Sequence, residues 1–253
     1  MKTLNELFAS SCKPKCESYK KITEDITLID NFFENFSSAR DFFINRDKWK
    51  CNPYQVHSKP GDESTFPNWV GKSLMEKYII DTKIDINQNS YTIDCNFFYE
   101  YSDFIWSLSN SHFFPHYDEV MENGMASLEH ICLINLNLIP VSTNFYTFKD
   151  KKYCNVRNEL MFNEYSNNIK NELLKYYPDK KNITHKETKI FLDSKKDLEH
   201  KLLEKIEYMP NQAIIYPSCI FHSADISPEF SEDNPRVMLR ISFKVKTKIL
   251  SYF

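Results

Sequence analysis

The hydrophobic pattern divides the chain unevenly. From residue 89 onward, short aromatic or β-branched runs recur between polar turns: YTIDCNFFYEY, FIWSLSNSHFF, SLEHICLINLN and STNFYTFK. Four such runs within about 60 residues predict an antiparallel sheet. Segment 127–137 is apolar on both parities, through Leu128, Ile131, Leu133, Ile134 and Leu136, which predicts a central strand covered on both sides. Two further strand signals follow, QAIIYPSCIFHSADI and RVMLRISFKV. The last alternates strictly. Val237, Leu239, Ile241, Phe243 and Val245 share one face, and Arg236, Met238, Arg240, Ser242 and Lys244 share the other. The first face is core, while the second points its arginines either to solvent or into a polar cavity.

The remaining stretches are more varied. Residues 1–24 are polar and read as an arm or a short helix. Residues 26–33 read as a strand, and 36–46 as a helix with Asn35 as N-cap and Phe42 and Phe43 as its buried stripe. A long loop over 51–67 is punctuated by Pro53, Pro60, Gly61 and Pro67, and a short helix follows over about 71–79. Residues 151–209 break the strand pattern. Met161, Tyr165, Ile169 and Leu173 recur every four residues within 157–177. Leu198, Leu202 and Ile206 do the same within 192–207, with Ser194 and Asp197 placed as a capping box. Two surface helices are expected there, as a helical insertion between strands. The organisation expected is a polar N-terminal arm over 1–24 and a single domain over 25–253 with a helical insertion at about 151–209. The fold class is mostly β with flanking helices (α+β).

Composition narrows the classes of function. A chain of 253 residues with 42% hydrophobic, 26% charged and 15% aromatic residues can bury a proper core. Only three glycines occur, Gly61, Gly71 and Gly124, so phosphate-cradling loops and dinucleotide folds are excluded. The net charge of -3 gives no pull toward nucleic acid, and the Lys13, Lys15, Lys20, Lys21 group is a solvated face met at once by Glu24 and Asp25. Seven scattered cysteines fit a reducing compartment, and Cys12 and Cys16 lack zinc-knuckle spacing. No apolar run suits a signal peptide or a membrane span, so a cytoplasmic protein is expected.

The candidate chemistry lies in Pro115-His116-Tyr117-Asp118 and in the distant His222. On an extended chain, His116 and Asp118 point to one side. A third ligand from elsewhere would complete a metal site, and His222 follows the apolar strand 214–221. Two histidines and one carboxylate form the facial triad of non-haem Fe(II) enzymes, which leaves coordination positions open for chemistry. An arginine in the same cavity could clamp a carboxylate through a bidentate charged pair. Other residues have plainer readings. His112 sits too far along the strand to share a metal with His116, and His130 reads as an interior histidine. Cys219 reads as a small buried hydrophobe, since no orienting partner completes a thiol nucleophile. Glu119 or Glu122 could reach a metal only if the turn folds back, which would make a cupin-type site.

Over roughly residues 22–245 the sequence resembles the Fe(II)/2-oxoglutarate-dependent oxygenases, whose core is a double-stranded β-helix or jelly roll. The resemblance rests on the His-x-Asp…His motif at His116, Asp118 and His222, on IIYPSCIFHSA before the distal histidine, and on HICLINLN and STNFYTF after the first motif. It implies an Fe(II) centre held by those three residues, with 2-oxoglutarate as co-substrate, O2 consumed, and succinate and CO2 as co-products. Arg236 matches the prolyl-hydroxylase-like subset, where arginine precedes an alternating apolar strand, and is the preferred anchor for the distal carboxylate. Arg240-Ile241-Ser242 resembles the Arg-x-Ser motif of another subset. Tyr99, Tyr101, Asn144 and Tyr146 are candidates for hydrogen bonds in the co-substrate pocket, with Tyr99 and Asn144 foremost. The substrate implied is a small molecule or a protein side chain, with nucleic acid disfavoured, no membrane partner, and a homodimer compatible. A non-catalytic jelly-roll binding or scaffold protein and a cupin-type metal protein are the alternatives.

Overall fold

In the computed structural model the strand-rich half resolves into two main antiparallel sheets. The structure describes residues 4–44, 58–59, 68–82, 94–100, 105–107, 114–120, 128–180, 182–231, 234 and 236–245. The first part of the chain forms α1 (Leu4–Ser11), β1 (Ser18–Lys21), β2 (Thr27–Asp30), α2 (Phe36–Ile44), β3 (Ser58–Lys59) and α3 (Asn68–Thr82). Next come β4 (Asp94–Glu100), β5 (Ile105–Ser107), β6 (Leu128–Asn135), β7 (Val141–Phe148) and α4 (Val156–Tyr176). The last part holds β8 (Asn182–Thr184), α5 (His185–Asp193), β9 (His200–Tyr208), β10 (Ala213–Pro217), β11 (His222–Asp225) and β12 (Arg236–Val245). The larger sheet runs β1-β2-β10-β6-β12-β4-β3, the smaller β11-β7-β9, and β5 pairs with β8.

Alternation along the strands explains the layering. Cys132 and Ile134 of β6, Ala213 and Ile215 of β10, and the odd positions of β12 from Val237 to Phe243 pack against Phe8, Phe43, Leu74 and Met75 of the first three helices. The opposite face of the same strands supplies Ile131, Ile214, Tyr216 and Met238, which meet Val141, Phe145, Ile206 and Tyr208 of the smaller sheet. Strand β6 sits fourth of seven and is covered on both sides, as its double-parity apolar run predicts. The architecture is mixed α+β with two facing antiparallel sheets, in keeping with the jelly-roll expectation at that level.

Several local expectations hold. Asn35 caps α2 by accepting from the Ser38 N–H at 3.0 Å. Helix α4 buries Phe162, Ile169 and Leu173, although Met161 is left 47% exposed. At the turn before β10, Asn211 takes a left-handed conformation with φ 63°, which asparagine tolerates, and its amide bonds both the N–H and the carbonyl of Phe33.

Two expectations are corrected. Residues 1–24 contain the expected short helix, α1, but no detached arm: Phe8, Cys12 and Cys16 enter the main core, and β1 pairs along β2. Those three apolar positions recur every four residues on an otherwise polar segment, so the low overall hydropathy hid a buried stripe. The insertion is helical only in α4 and α5. Residues 200–208 form strand β9, paired with β7, and Ser194 closes α5 at its C-terminus instead of opening a helix. A repeat of four is also a multiple of two, so the spacing alone fits a strand as well as a helix, although an irregularity in β9 turns Leu202 and Ile206 to opposite faces.

Candidate metal centre

The turn between β10 and β11 brings the three candidate ligands together. His116 pairs with His222 in an isolated antiparallel bridge: His116 N–H donates to His222 O at 2.9 Å, and His222 N–H to His116 O at 2.8 Å. Two residues on, the Asp118 N–H donates to Ser218 O at 2.9 Å, so segment 116–118 is laced along the turn that leads into His222. The imidazole centroids lie 4.4 Å apart. One ligand atom from each of His116, Asp118 and His222 falls within 4.8 Å of the others, and no other such group of three occurs among the described residues. Bonds of about 2.0–2.2 Å hold neighbouring ligand atoms near 3 Å apart, so rotations of about 1–2 Å would close the set on an ion.

Hydrogen bonds fix how the histidines present themselves. His116 Nδ1 lies 3.0 Å from Phe114 O, and His222 Nδ1 lies 2.8 Å from Ile220 O. A carbonyl only accepts, so each Nδ1 carries a proton and each Nε2 is the ring nitrogen left to face the site. His222 Nε2 is 3.3 Å from Asp118 Oδ2. Although the Asp118 main chain is exposed, its side chain retains only 16% exposure. Burial alone would raise that carboxyl, but the His222 hydrogen bond, the Arg240 charge and His116 prevail and hold it well below the usual carboxylate range. An ionised carboxylate and two imidazoles, whose Nε2 atoms a bound metal would hold in deprotonated form, suit a divalent ion and leave coordination positions free.

The arginine face of β12 turns inward. Arg240 Nη2 lies 3.2 Å from Asp118 Oδ2, while its Nε is buried and donates no hydrogen bond among the described residues. Arg236 is 3% exposed on the same face, with Met238 between them in the inter-sheet core. The unpaired Nε of Arg240 fits an anionic group beside the candidate metal ligands. Tyr216 joins this interior. Its ring meets His222 edge-on at 4.9 Å, and burial, with Asp118 nearby, pushes its phenol well above the usual range against the opposing charges of Arg240 and Arg236. Tyr208 and Thr143 add a hydroxyl pair 3.2 Å apart. Sequence reasoning passed over these three. The available signal was parity, because Val141, Thr143 and Phe145 share the inward face of β7.

Asn144 and Tyr146 lie elsewhere. Asn144 sits opposite Ser223 in the β7–β11 register, the Tyr146 hydroxyl lies 3.0 Å from Ser223 Oγ, and both residues line a cavity on the far side of the smaller sheet from the triad. Tyr99 is placed on β4 in register with Val237. Tyr101, His112 and Glu122, and most of the loop 51–67, lie outside the described residues. His130 stacks on Phe243 at 5.8 Å. Glu119 accepts from Ser218 Oγ and from the Glu129 N–H, each at 3.2 Å, and so braces the turn. Burial pushes the Cys219 thiol up to about 12, which leaves it unreactive at neutral pH. No helix among the described residues is long and apolar enough to cross a membrane.

A family model described as "Family of unknown function (DUF6445)" matches residues 11–240, a span that includes all three ligands and both arginines. The chain belongs to that family. No curated protein matches the sequence. Distant likenesses occur among solved structures, at 11% identity. The apo Kdo hydroxylase KdoO, described as a non-heme Fe(II) alphaketoglutarate dependent dioxygenase, has a TM-score of 0.37, covering 82% of this chain and 75% of that one. The same enzyme with alphaketoglutarate and Fe(III) gives 0.31, covering 62% of this chain and 55% of that one, so the match spans about half of its length. A novel N-substituted L-amino acid dioxygenase from Burkholderia ambifaria AMMD gives 0.38, covering 88% and 84%.

Proposed function

We propose that this member of DUF6445 is a non-haem Fe(II) and 2-oxoglutarate-dependent oxygenase built on a double-stranded β-helix core. The observation that carries the reading is the convergence of His116, Asp118 and His222 within 4.8 Å, beside two inward-facing arginines. His116, Asp118 and His222 would hold Fe(II) through two Nε2 atoms and a carboxylate. Arg236, buried on the same face of β12, would anchor the distal carboxylate of 2-oxoglutarate, the role that the resemblance implies for it. Arg240, 3.2 Å from Asp118 Oδ2, would orient the Asp118 carboxylate toward the ion. The chemistry that Fe(II) and 2-oxoglutarate supply when bound is oxidative: O2 is consumed, the co-substrate leaves as succinate and CO2, and a substrate C–H bond is hydroxylated. Phe145, Tyr216 and Met238 would keep water from the reacting side. The substrate would be a small molecule or a protein side chain.

The test separates binding from turnover. Under anaerobic conditions, Fe(II) and 2-oxoglutarate should bind together, and admitting O2 should release succinate even without substrate. His116→Ala should lose the metal. Arg236→Met should keep the metal and weaken 2-oxoglutarate by about ten- to a hundredfold, as expected for loss of a charged bidentate contact. Failure of the wild type to bind any divalent ion at this site would overturn the proposal and favour a non-catalytic binding protein. Metal binding without any effect of 2-oxoglutarate would favour the cupin-type alternative.

A further inference from the structure

The smaller sheet has a second face. Side chains alternate along β11, so His222 turns toward the inter-sheet core while Ser223 and Asp225 turn away. There they meet β7, β9 and α5 around a cavity of about 340 Å³, which none of the three candidate metal ligands lines. Small-molecule sites commonly span about 300–1,000 Å³, so this volume falls at the lower end.

Charge is distributed by position along the wall. Two ammonium groups share one carboxylate: Lys189 Nζ lies 3.2 Å from Asp225 Oδ1, and Lys205 Nζ lies 2.5 Å from Asp225 Oδ2. That cluster carries one positive charge in excess and suits an anionic group. Asp193 supplies a further negative charge to the lining. Asn144 Oδ1 is buried and accepts no hydrogen bond among the described residues. A buried acceptor without a donor is destabilising, and a ligand N–H would relieve it. Leu192, Leu198 and Leu202 give the cavity an aliphatic wall. Two histidines in the lining add no charge near neutral pH, because burial holds His185 and His200 down to about 4.

We propose that this cavity binds a small amino-carboxylate with an aliphatic side chain. Its carboxylate would meet Lys189 and Lys205, its amino group Asn144 Oδ1 and Asp193, and its side chain the three leucines. The site is distinct from the metal centre and does not depend on the oxygenase reading, yet it lies directly behind the strand that begins at His222.

Isothermal titration of the full chain with L-leucine tests this, with L-leucinamide and 4-methylpentanoate as probes that each lack one charge. Saturable binding of L-leucine is expected, weakened about tenfold or more for either analogue and for Asn144→Leu. His116→Ala should bind L-leucine as the wild type does. Leu202→Trp, at a position 57% exposed, should block the mouth of the cavity without touching its polar groups. Melting curves of both cavity variants establish that they are folded. The inference is overturned by absence of saturable L-leucine binding, by an affinity for either analogue equal to that for L-leucine, or by binding that survives Leu202→Trp. Loss of binding in His116→Ala would overturn it too, by moving the probe to the metal centre.

Discussion

The two main sheets share one core and differ in what their other faces meet. The seven-stranded sheet backs onto helices, where Leu239, Ile241 and Phe243 pack among Phe43, Leu74 and Met75. The three-stranded sheet begins β11 at His222 on its inner face and carries Asn144, Ser223 and Asp225 on its outer one. Stability and chemistry are thereby assigned to different sheets. Strand β12 joins the two tasks: its odd positions fasten it to the helices, and its even positions deliver Arg236 and Arg240 to the interior. A rigid strand anchored on one face can hold charged groups on the other without loops to position them.

That division can be broken at several points. The largest effect is expected from Leu239→Ala, which empties a fully buried position of the seven-stranded sheet and should cost about 2–5 kcal/mol in denaturant unfolding. The variant that remains folded should still bind a divalent ion, since no ligand is touched. Conversely, His116→Ala should lower Mn(II) affinity at least about a hundredfold in equilibrium dialysis while shifting stability little, because the site sits at the sheet edge. Acid should act on the smaller sheet. His185 and His200 are held neutral down to about 4 by burial, whereas the unfolded chain protonates them near 6.5. Folded pKa values below the unfolded ones mean that this stability is present above pH 6.5 and lost as pH falls toward 4. Lowering pH from 7 to 5.5 should therefore destabilise by about 1 kcal/mol per histidine, and His200→Gln should flatten the profile. The smallest effect belongs to the cap of α4. Asn155 accepts from the Arg157 and Asn158 N–H groups, and Asn155→Ala should cost about 1 kcal/mol with both sites intact.

Strands with one buried parity were legible before any coordinates. The alternation of β12 and the double-parity run of β6 marked their extent and their core-facing positions, since period two maps directly onto sheet faces, while the surroundings of Arg236 and Arg240 stayed open between solvent and a cavity. The triad was legible as residue types, and only the fold could show that His116 and His222 exchange main-chain hydrogen bonds. Three features escaped. The four-residue spacing of Leu198, Leu202 and Ile206 cannot separate helix from strand, and β9 carries an irregularity opposite Phe145 and Tyr146 that breaks its own alternation. In β7, aromatic residues occupy both parities, so nothing local shows that Thr143 faces inward while Asn144 faces the outer cavity. The polar opening segment hid Phe8, Cys12 and Cys16 because average hydropathy dilutes a narrow stripe.

The reciprocal main-chain pair between His116 and His222 also sets an order of assembly. These residues are roughly a hundred positions apart, so the loop they close carries a larger entropic cost than any hairpin in the smaller sheet. A chain that emerges N-terminus first exposes His116 and Asp118 long before β10, β11 and β12 exist. An ion met at that stage finds two side chains on an unformed edge, with neither the second nitrogen, from His222, nor Arg240 to steady the carboxylate. A three-point grip would arise only when β11 has docked, and β12 would then steady it through Arg240. Metal capture would thus report completion of folding rather than assist its beginning.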